Sequence, residues 1–275
     1  MTMNKNHLRY ILLKPFKSWK NKYLKYITKR EAQISNLYLS TAKEIGEYTG
    51  ESVDIVKQKH KTGSESENGL SIFKEQASLN KDKVEDFYKT CRYYLYELPL
   101  WNAERNRPKY LSLIFLPYLK RNKYKRVMDF GAGAGDLCIE LARNKLEVTY
   151  CDIGECLFNF AKWRFAKRNL PVRMINGLNI LGSEEFDCIF SFDAFEHIKN
   201  LPGTLEKLIK HIKRGGSLIF SGAFSGGSLH LEENEKFDNF RNLDSLMQNL
   251  GLTFQDKFAQ FYFYKRENSR CLEKL

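Results

Sequence analysis

The chain has no apolar run long enough to cross a membrane. A membrane-spanning helix needs roughly 18 or more consecutive apolar residues, and no stretch of this sequence approaches that length. The basic start is also not followed by the apolar segment of a secretory signal peptide. We therefore expect a cytoplasmic protein without a membrane span.

Closely spaced cysteines are absent as well. The chain has six cysteines, and none of them forms a C-x-x-C pair. Cys138, Cys151 and Cys188 fall inside segments whose pattern predicts helix or strand. Disulfide scaffolds and zinc sites depend on cysteines clustered in sequence. This distribution predicts reduced thiols, as expected in a cytoplasmic protein.

Acidic residues are scarce in one part of the chain only. The net charge is +12, and residues 1–126 hold 26 Lys and Arg against 13 Asp and Glu. Residues 127–275 hold 19 against 20. At 275 residues and 43% apolar, the chain can bury one full core and a smaller helical domain. The basic excess belongs to the N-terminal part.

The first 30 residues contain nine Lys and Arg and no acid. From Pro15 to Ile45, apolar residues recur at helical spacing and form an aromatic stripe opposite a basic face. Two interpretations are open. Either the helix packs its stripe on the protein and leaves its lysines in water, or the basic face binds an anionic partner such as RNA.

Further helices are predicted before the middle of the chain. The polar stretch Lys61–Gly69 predicts an exposed loop or linker. The apolar spacing then predicts a long helix over Lys81–Leu98, which Pro99 ends, and another helix over Tyr110–Lys120. This N-terminal part is therefore expected to be helical.

The stretch Val127–Asp136 has a different pattern. A short apolar run predicts a buried strand, three glycines at alternate positions follow, and a helix with an apolar face begins at once. Glycine is needed where a strand turns tightly into a helix while the backbone approaches a ligand. The N–H groups at that helix start favour an anionic or carboxylate-bearing ligand. Asp129, two residues before Gly131, is placed to face a cationic group.

The following segments alternate between strand and helix, with helices predicted over Glu155–Arg168, Leu201–Lys213 and Phe237–Leu250. This alternation predicts a doubly wound, mostly parallel sheet. The second strand ends at Asp152, where an acid is placed to accept two hydrogen bonds from a ribose diol. A later strand, Phe186–Phe192, leads into a loop that ends at His197, and the pair Gly215-Gly216 precedes another strand. Two predicted strands, Leu252–Phe258 and Phe261–Lys265, close the chain.

Taken together, these motifs resemble those of class I S-adenosylmethionine (SAM) methyltransferases, over roughly residues 109–270. The resemblance implies an α/β fold with a seven-stranded, doubly wound sheet whose last strand is antiparallel. An α-helical domain at residues 1–108 would recognise the acceptor or act as a lid, and residues 109–275 would bind SAM. S-adenosylhomocysteine would be the product.

The resemblance also assigns cofactor-binding positions. They lie at the ends of the first four strands: Asp129, Gly131, Gly133, Gly135, Asp152, Ile153, Asn176, Gly177, Leu178 and Ser191. Ahead of them, either Arg105 or Arg107 is placed to pair with the SAM carboxylate, or each is a plain surface arginine. Many family members carry an acid after the third strand, which binds the adenine amino group. Here Asn176-Gly177-Leu178 occupies that place, so an amide or a backbone group is expected to replace the acid.

Candidate catalytic residues follow the fourth strand. His197 is the first candidate for a general base, because an unperturbed imidazole titrates near 6.5; alternatively, the Glu196-His197 pair caps a helix or orients a loop. Asp193 and His230 are further candidates. Aromatic residues ahead of the glycines either roof the substrate or pack within the helical domain, namely Tyr88, Tyr94 and Trp101.

Several specialised classes are excluded by what is missing at these positions. Ser191-Phe192-Asp193-Ala194 replaces the Asn/Asp-Pro-Pro-aromatic motif of enzymes that methylate nucleobase amino groups, and no Pro-Cys pair offers a covalent nucleophile. Only Asp193 is placed for a catechol-type metal site, so no metal is predicted. We expect a methyl acceptor that is a small metabolite or a biosynthetic peptide, modified at O or N. An RNA methyltransferase, and a non-catalytic SAM-binding scaffold, remain alternatives.

The N-terminal helices are placed to cover the predicted active site. The class I core leaves the methyl-bearing side of SAM open to water, so a cover is needed there. We expect these helices to form a lid that completes the acceptor pocket. The alternatives are that they form the interface of a homodimer or only cover the sheet.

Overall fold

The computed structural model describes residues 31–65, 84–92, 94–225 and 230–267. Part of the predicted basic helix, residues 15–30, lies outside them, as do residues 66–69 of the predicted linker. None of the described helices is both long enough and apolar enough to cross a membrane. The five cysteines in the described part of the chain are free thiols.

Five helices of the described residues precede the sheet. They are α1 (Glu31–Thr49), α2 (Val53–Glu65), α3 (Val84–Thr90), α4 (Tyr94–Glu104) and α5 (Arg107–Arg121). The prediction of a loop from Lys61 was wrong for its first five residues, which belong to α2. The predicted boundary between residues 108 and 109 falls within the first turn of α5, where Pro108 suits a helix start.

The single helix predicted over Lys81–Leu98 is a wrong prediction. Within the described residues, α3 ends at Thr90 and α4 starts at Tyr94, and Pro99 lies inside α4 instead of ending a helix. An internal proline removes one backbone hydrogen bond and costs about 3 kcal/mol in an exposed helix. Pro99 is tolerated because it is buried together with Leu95 and Leu100, so tertiary packing outweighs the local penalty.

Seven strands form one sheet, in the order β3-β2-β1-β4-β5-β7-β6. They are β1 (Arg126–Phe130), β2 (Glu147–Cys151), β3 (Val172–Ile175), β4 (Phe186–Phe192), β5 (Ile212–Ser221), β6 (Leu252–Phe258) and β7 (Phe261–Arg266). Strands β1 to β5 pair in parallel, and β7 is antiparallel to both β5 and β6. The predicted doubly wound, seven-stranded sheet is confirmed.

Helices pack on both faces of this sheet. They are α6 (Asp136–Arg143), α7 (Glu155–Lys167), α8 (Leu201–Lys210) and α9 (Phe240–Asn249). Phe115 of α5 packs into the core of one face together with Phe190 of β4, whereas Leu205 of α8 and Ile189 lie in the core of the other face. The alternation of β4 side chains between the two cores is the pattern of a strand buried on both faces.

Two predicted helix boundaries are corrected by the structure. Helix α8 ends at Lys210, not at Lys213, and Gly215-Gly216 lies inside β5 as a register shift. A Cβ on Gly216 would lie 2.8 Å from the Asp187 carbonyl oxygen, so the sheet requires glycine there. Helix α9 begins at Phe240, not at Phe237, because the Asn239 side chain accepts a hydrogen bond from the backbone N–H of Arg241 and caps the helix.

Candidate active site

The strand order reverses between β1 and β4, since β1 pairs with β2 on one side and β4 on the other. In open α/β sheets, ligands bind outside the carboxyl ends of the strands at such a switch point. The loops after these two strands touch there, because a Cβ added to Gly131 would lie 2.6 Å from that of Ala194. The predicted cofactor and acceptor sites therefore meet at one crevice.

The glycine loop after β1 has the conformation that the sequence predicted. Gly133 and Gly135 have φ angles of +52° and +74°, a region that favours glycine. A Cβ on Gly133 would lie 2.5 Å from Leu98 of α4, and one on Gly135 would lie 2.6 Å from the ring of Phe165. Gly135 also precedes the first residue of α6. The positive φ angles and the close packing together favour glycine at both positions.

Asp152 lies at the end of β2 beside this loop. One of its carboxylate oxygens accepts a hydrogen bond from the Gly133 N–H at 2.7 Å, and the other accepts one from the Gly154 N–H at 2.7 Å. Burial nonetheless raises the pKa of Asp152 above its usual value. A carboxylate oxygen has two lone pairs, so each oxygen retains one for a ribose hydroxyl. The geometry suits the predicted role.

Asp129, on β1, is 4% exposed. The Cys138 thiol donates to its carboxylate, with the sulfur and oxygen 3.5 Å apart. Burial raises the pKa of Asp129 to about 7, and hydrogen bonding from Cys138 only partly opposes this. A cationic group nearby would favour the ionised carboxylate. Asp129 is therefore suited to a positively charged ligand.

Ser191, near the end of β4, is fully buried. Within the described part of the chain, its hydroxyl has no hydrogen-bond partner. Leaving a buried hydroxyl unpaired costs roughly 1–3 kcal/mol. A polar group of a bound ligand is one partner that would remove this cost, so the residue fits its predicted place in the cofactor site.

The residues predicted to hold the adenine lie at the same edge of the sheet. Ile153 directly follows Asp152 and is half-buried, and Asn176 is exposed just after β3. Gly177 has a φ of +91° and precedes a short 3₁₀ turn, Leu178–Ile180. Because Cys151 of β2 pairs with Ile175 of β3, the loops after these two strands lie side by side.

On the other side of the crevice, Arg107 and Asp193 form an ion pair. The guanidinium Nη1 lies 2.6 Å from one carboxylate oxygen of Asp193, and the Ser221 hydroxyl donates to the other at 2.8 Å. The Arg107 side chain is 6% exposed, and it lies over the Trp101 ring at 5.1 Å. Arg107 was predicted to bind the SAM carboxylate; in this structure its partner is Asp193.

His197 and His230 come together from segments more than 30 residues apart. Their ring centroids are 5.1 Å apart, and the Tyr88 ring of α3 lies 5.2 Å from that of His197. Tyr94 stacks on Tyr88 at 5.6 Å. Four of the residues predicted for catalysis or substrate binding therefore form one aromatic and imidazole cluster. Trp101, also predicted there, lies beside Arg107 instead.

Glu196, which the sequence predicts only to cap a helix or orient a loop, is a buried carboxyl group. It is 2% exposed, and one oxygen accepts a hydrogen bond from the Ala223 N–H at 3.4 Å. Its other oxygen has no partner among the described residues. Burial raises the pKa of Glu196 to about 7, and the nearby Asp193 charge adds to the effect. This buried carboxyl lies beside the two histidines.

Potential metal-ligand atoms of Glu196, His197 and His230 all lie within 4.8 Å of one another. Imidazole and carboxyl groups at this spacing can act together on the proton of a bound substrate. We describe them as a cluster that can exchange protons, and assign no metal to it.

Comparison with known proteins identifies the family. A family model described as a methyltransferase domain matches residues 102–268. The ubiquinone biosynthesis O-methyltransferase of Coxiella burnetii is 30% identical over 129 residues, which are 44% of this chain and 55% of that protein. An uncharacterised protein of Haemophilus influenzae is 29% identical over 182 residues, or 62% of this chain and 65% of that one. The chain thus spans about half to two thirds of these relatives.

A solved structure shows the same fold. Magnesium protoporphyrin IX methyltransferase from Synechocystis PCC 6803, crystallised with S-adenosylhomocysteine, has a TM-score of 0.50 and 16% identity, covering 68% of this chain and 100% of that one. Its low identity means that the likeness concerns the fold alone. The family model, in contrast, covers more than half of this chain. The chain belongs to the methyltransferase domain family and has the class I fold of SAM-dependent methyltransferases.

Proposed function

We propose that this protein transfers a methyl group from SAM to an oxygen or nitrogen atom of a small metabolite or biosynthetic peptide. The observation that best supports this proposal is the crevice between β1 and β4. There, a loop that requires glycine faces a cluster containing two imidazoles, His197 and His230. One side of the crevice suits a cofactor, and the other side suits an acceptor that must lose a proton.

The cofactor side has chemically matched groups for each part of SAM. Asp152 keeps lone pairs for the ribose hydroxyls, and Asp129 suits the positive charge of the amino or sulfonium group. Gly131, Gly133 and Gly135 allow the methionine part to approach the backbone. We assign the adenine to the loops after β2 and β3, at Ile153, Asn176, Gly177 and Leu178.

Methyl transfer from a sulfonium is an in-line displacement, in which the protein positions the acceptor and, where needed, removes its proton. When bound, SAM supplies the activated methyl group. We assign the removal of the acceptor's proton to His197. His230 is close enough to orient the His197 imidazole or to accept the proton from it. Asp193 acts on this side through its ion pair with Arg107. Neighbouring Tyr88 and Tyr94 would contact the acceptor.

The division into residues 1–108 and 109–275 is part of this proposal. Helices α3 and α4 bring Tyr88 against His197 and Leu98 against the glycine loop. They therefore lie over both halves of the crevice, as a lid would. Excluding water there favours displacement by the acceptor. Dimerisation through these helices would be seen as a doubled mass in solution.

The acceptor atom is inferred from a relative and from the imidazoles of the crevice. The O-methyltransferase relative of Coxiella burnetii supports an acceptor hydroxyl, which a nearby imidazole can deprotonate. Incubating the protein with isotopically labelled SAM and a metabolite extract, followed by mass spectrometry, tests this directly. A labelled small molecule is the expected result.

Other outcomes of this experiment would replace the proposal. Label in RNA, together with a steep dependence of RNA binding on salt, would indicate an RNA methyltransferase. Binding of SAM with no labelled product from any extract would indicate a non-catalytic scaffold. The prediction of a cytoplasmic location is separate, and fractionation of cells would test it.

A further inference from the structure

A buried group of charged side chains connects the first helix to the glycine loop. Arg164 of α7 is 5% exposed. Its guanidinium donates to the Ala134 carbonyl and to the Asp136 carboxylate, both at 2.7 Å, and to Glu44 of α1 at 3.1 Å. A guanidinium has five donors in a fixed plane. One side chain therefore holds the loop, the start of α6 and α1 in a single arrangement.

Two more contacts extend this group. The second carboxylate oxygen of Asp136 accepts a hydrogen bond from the Asn102 amide of α4 at 2.9 Å. Arg168 forms an ion pair with Glu44. The Glu44 and Asp136 side chains are 9% and 12% exposed, so solvent screens these charges poorly. Asp136 is thus bound by side chains from two other helices.

Apolar packing joins the same segments. Ala134 of the glycine loop is 1% exposed. It belongs to one hydrophobic cluster with Ala42 and Ile45 of α1 and Phe160 of α7. A displacement of α1 would therefore disturb the glycine loop through these apolar contacts as well as through the contacts of Arg164.

The placement of these contacts indicates positioning, not added stability. Desolvation offsets most of the attraction within a buried ion group, whereas the loss of one partner leaves a buried charge uncompensated. In the loop itself, Arg164 binds a backbone carbonyl, that of Ala134 between Gly133 and Gly135. The Gly133 N–H donates to Asp152. Holding the Ala134 peptide thus preserves the loop geometry that places Asp152.

We propose that Arg164 and Glu44 are positioning residues for the cofactor, and that they couple the docking of α1 to cofactor binding. This inference rests on the proposed SAM site. Neither residue needs to touch the cofactor, because each acts through the glycine loop. By thermodynamic linkage, if docked α1 strengthens cofactor binding, the bound cofactor must stabilise the docking of α1 by the same factor.

The test compares two neighbouring glutamates of α1. Glu44→Gln weakens the buried group, whereas Glu47→Gln removes a surface ion pair with Lys167, in which Glu47 is 57% exposed. Calorimetry with S-adenosylhomocysteine should show a Kd about tenfold weaker for Glu44→Gln, since the loss of a charge-assisted hydrogen bond has about this effect. The Kd of Glu47→Gln should stay within about twofold of the wild-type value.

Hydrogen exchange provides a readout that a purely structural role would not change. Saturating S-adenosylhomocysteine should slow amide exchange in residues 36–49 of the wild-type protein and of Glu47→Gln, and much less in Glu44→Gln. Asn102→Ala removes only one uncharged donor to Asp136, and should weaken binding about threefold. It decides the question if Glu44→Gln does not fold.

The possible failures are distinguishable. If the wild-type protein binds no S-adenosylhomocysteine, the proposed function is wrong. If it binds, and Glu44→Gln or, in its place, Asn102→Ala binds as tightly as Glu47→Gln with unchanged protection of α1, only the coupling is wrong.

Discussion

The two sides of the crevice are built in different ways. The cofactor side comes mostly from continuous sequence: Gly131 to Gly135 follow β1 directly, and Asp152 ends the next strand. The acceptor side gathers Tyr88, Arg107, His197 and His230 from four separate segments. A local motif fixes the first, whereas only tertiary packing creates the second.

The two sides also differ in how their buried acids are held. Asp152 accepts hydrogen bonds from two backbone N–H groups, so its position is tied to the backbone. Glu196 has one backbone donor at 3.4 Å and a second oxygen without a partner among the described residues. A well-held group suits a cofactor of constant shape. A carboxyl group with an unpaired oxygen, such as Glu196, can instead change its hydrogen bonds when an acceptor binds.

The largest effect is expected from removing the acid of the cofactor side. Asp152→Ala should weaken S-adenosylhomocysteine binding by roughly 100- to 1,000-fold, because two charge-assisted hydrogen bonds to the ribose are lost and the Gly133 and Gly154 N–H groups lose their acceptor. Calorimetry measures this. Asp187→Asn is the control. Asp187 also accepts hydrogen bonds from backbone N–H groups, but it lies at the amino end of β4, at the end of the strands away from the crevice. An equal loss in the control would show that the effect is a general loss of structure.

A smaller effect, and on a different quantity, is expected on the acceptor side. His197→Ala should lower kcat about 100-fold, as the loss of a general base typically does, and should change the Kd for S-adenosylhomocysteine by less than about twofold. The measurement is turnover with the acceptor found by labelling. His211→Ala serves as the control. The His211 imidazole, just before β5, contacts the carbonyl oxygen of Glu184, just before β4, at the end of the strands away from the crevice. Full turnover by His197→Ala would leave the histidine with a packing role.

The same contrast separates the features that the sequence predicts from those that it does not. The strand, the glycine loop and the helix at Arg126–Arg143 were predicted because each step of that pattern depends on neighbours in sequence. The prediction that Pro99 ends a helix was wrong, because its burial in the core cannot be read from neighbouring residues in the sequence. No spacing rule connects Arg107 with Asp193 across 86 residues. The partners on the acceptor side therefore had to come from the structure.

Glu196 shows why a correct motif still hid a property. The Glu196-His197 pair was noted in the sequence, but the burial of the carboxyl depends on Ala223 and Gly222 of the loop after β5. Burial is what raises the pKa of Glu196. A sequence pattern places two residues side by side, whereas the surroundings that set their protonation come from distant segments.

Protonation of Asp129 should lower the affinity for SAM about tenfold. Burial raises its pKa to about 7, and a cationic ligand should lower it, because the ionised form is favoured beside a positive charge. Binding of SAM should therefore release a proton, and affinity should rise about tenfold from pH 6 to pH 8. Calorimetry in buffers of different ionisation enthalpy measures both quantities.

The control for this pH dependence is Asp129→Asn. The charged or titratable groups that influence Asp129 are Cys138, Asp152, Arg107 and Asp136, and all remain in the variant. The variant should bind SAM more weakly at pH 8 and show little change between the two pH values. A pH dependence that persists unchanged would assign the titration to another group, with Asp152 the first to examine since its pKa is also raised.

The smallest effect decides to which side Arg107 belongs. If the guanidinium acts through its ion pair with Asp193, Arg107→Gln should alter the Kd for S-adenosylhomocysteine by less than about threefold, because the contact that is lost lies on the acceptor side of the crevice. The turnover number kcat should fall by a larger factor than the affinity for S-adenosylhomocysteine. A loss of binding of tenfold or more would instead agree with the original expectation that Arg107 holds the carboxylate of the cofactor, since a charge-assisted hydrogen bond contributes about 1.5–3 kcal/mol. Lys89→Gln, which removes an exposed ion pair with Glu85 on α3, controls for the loss of one positive charge. If that control weakens binding as much as Arg107→Gln, the effect comes from net charge and not from either site.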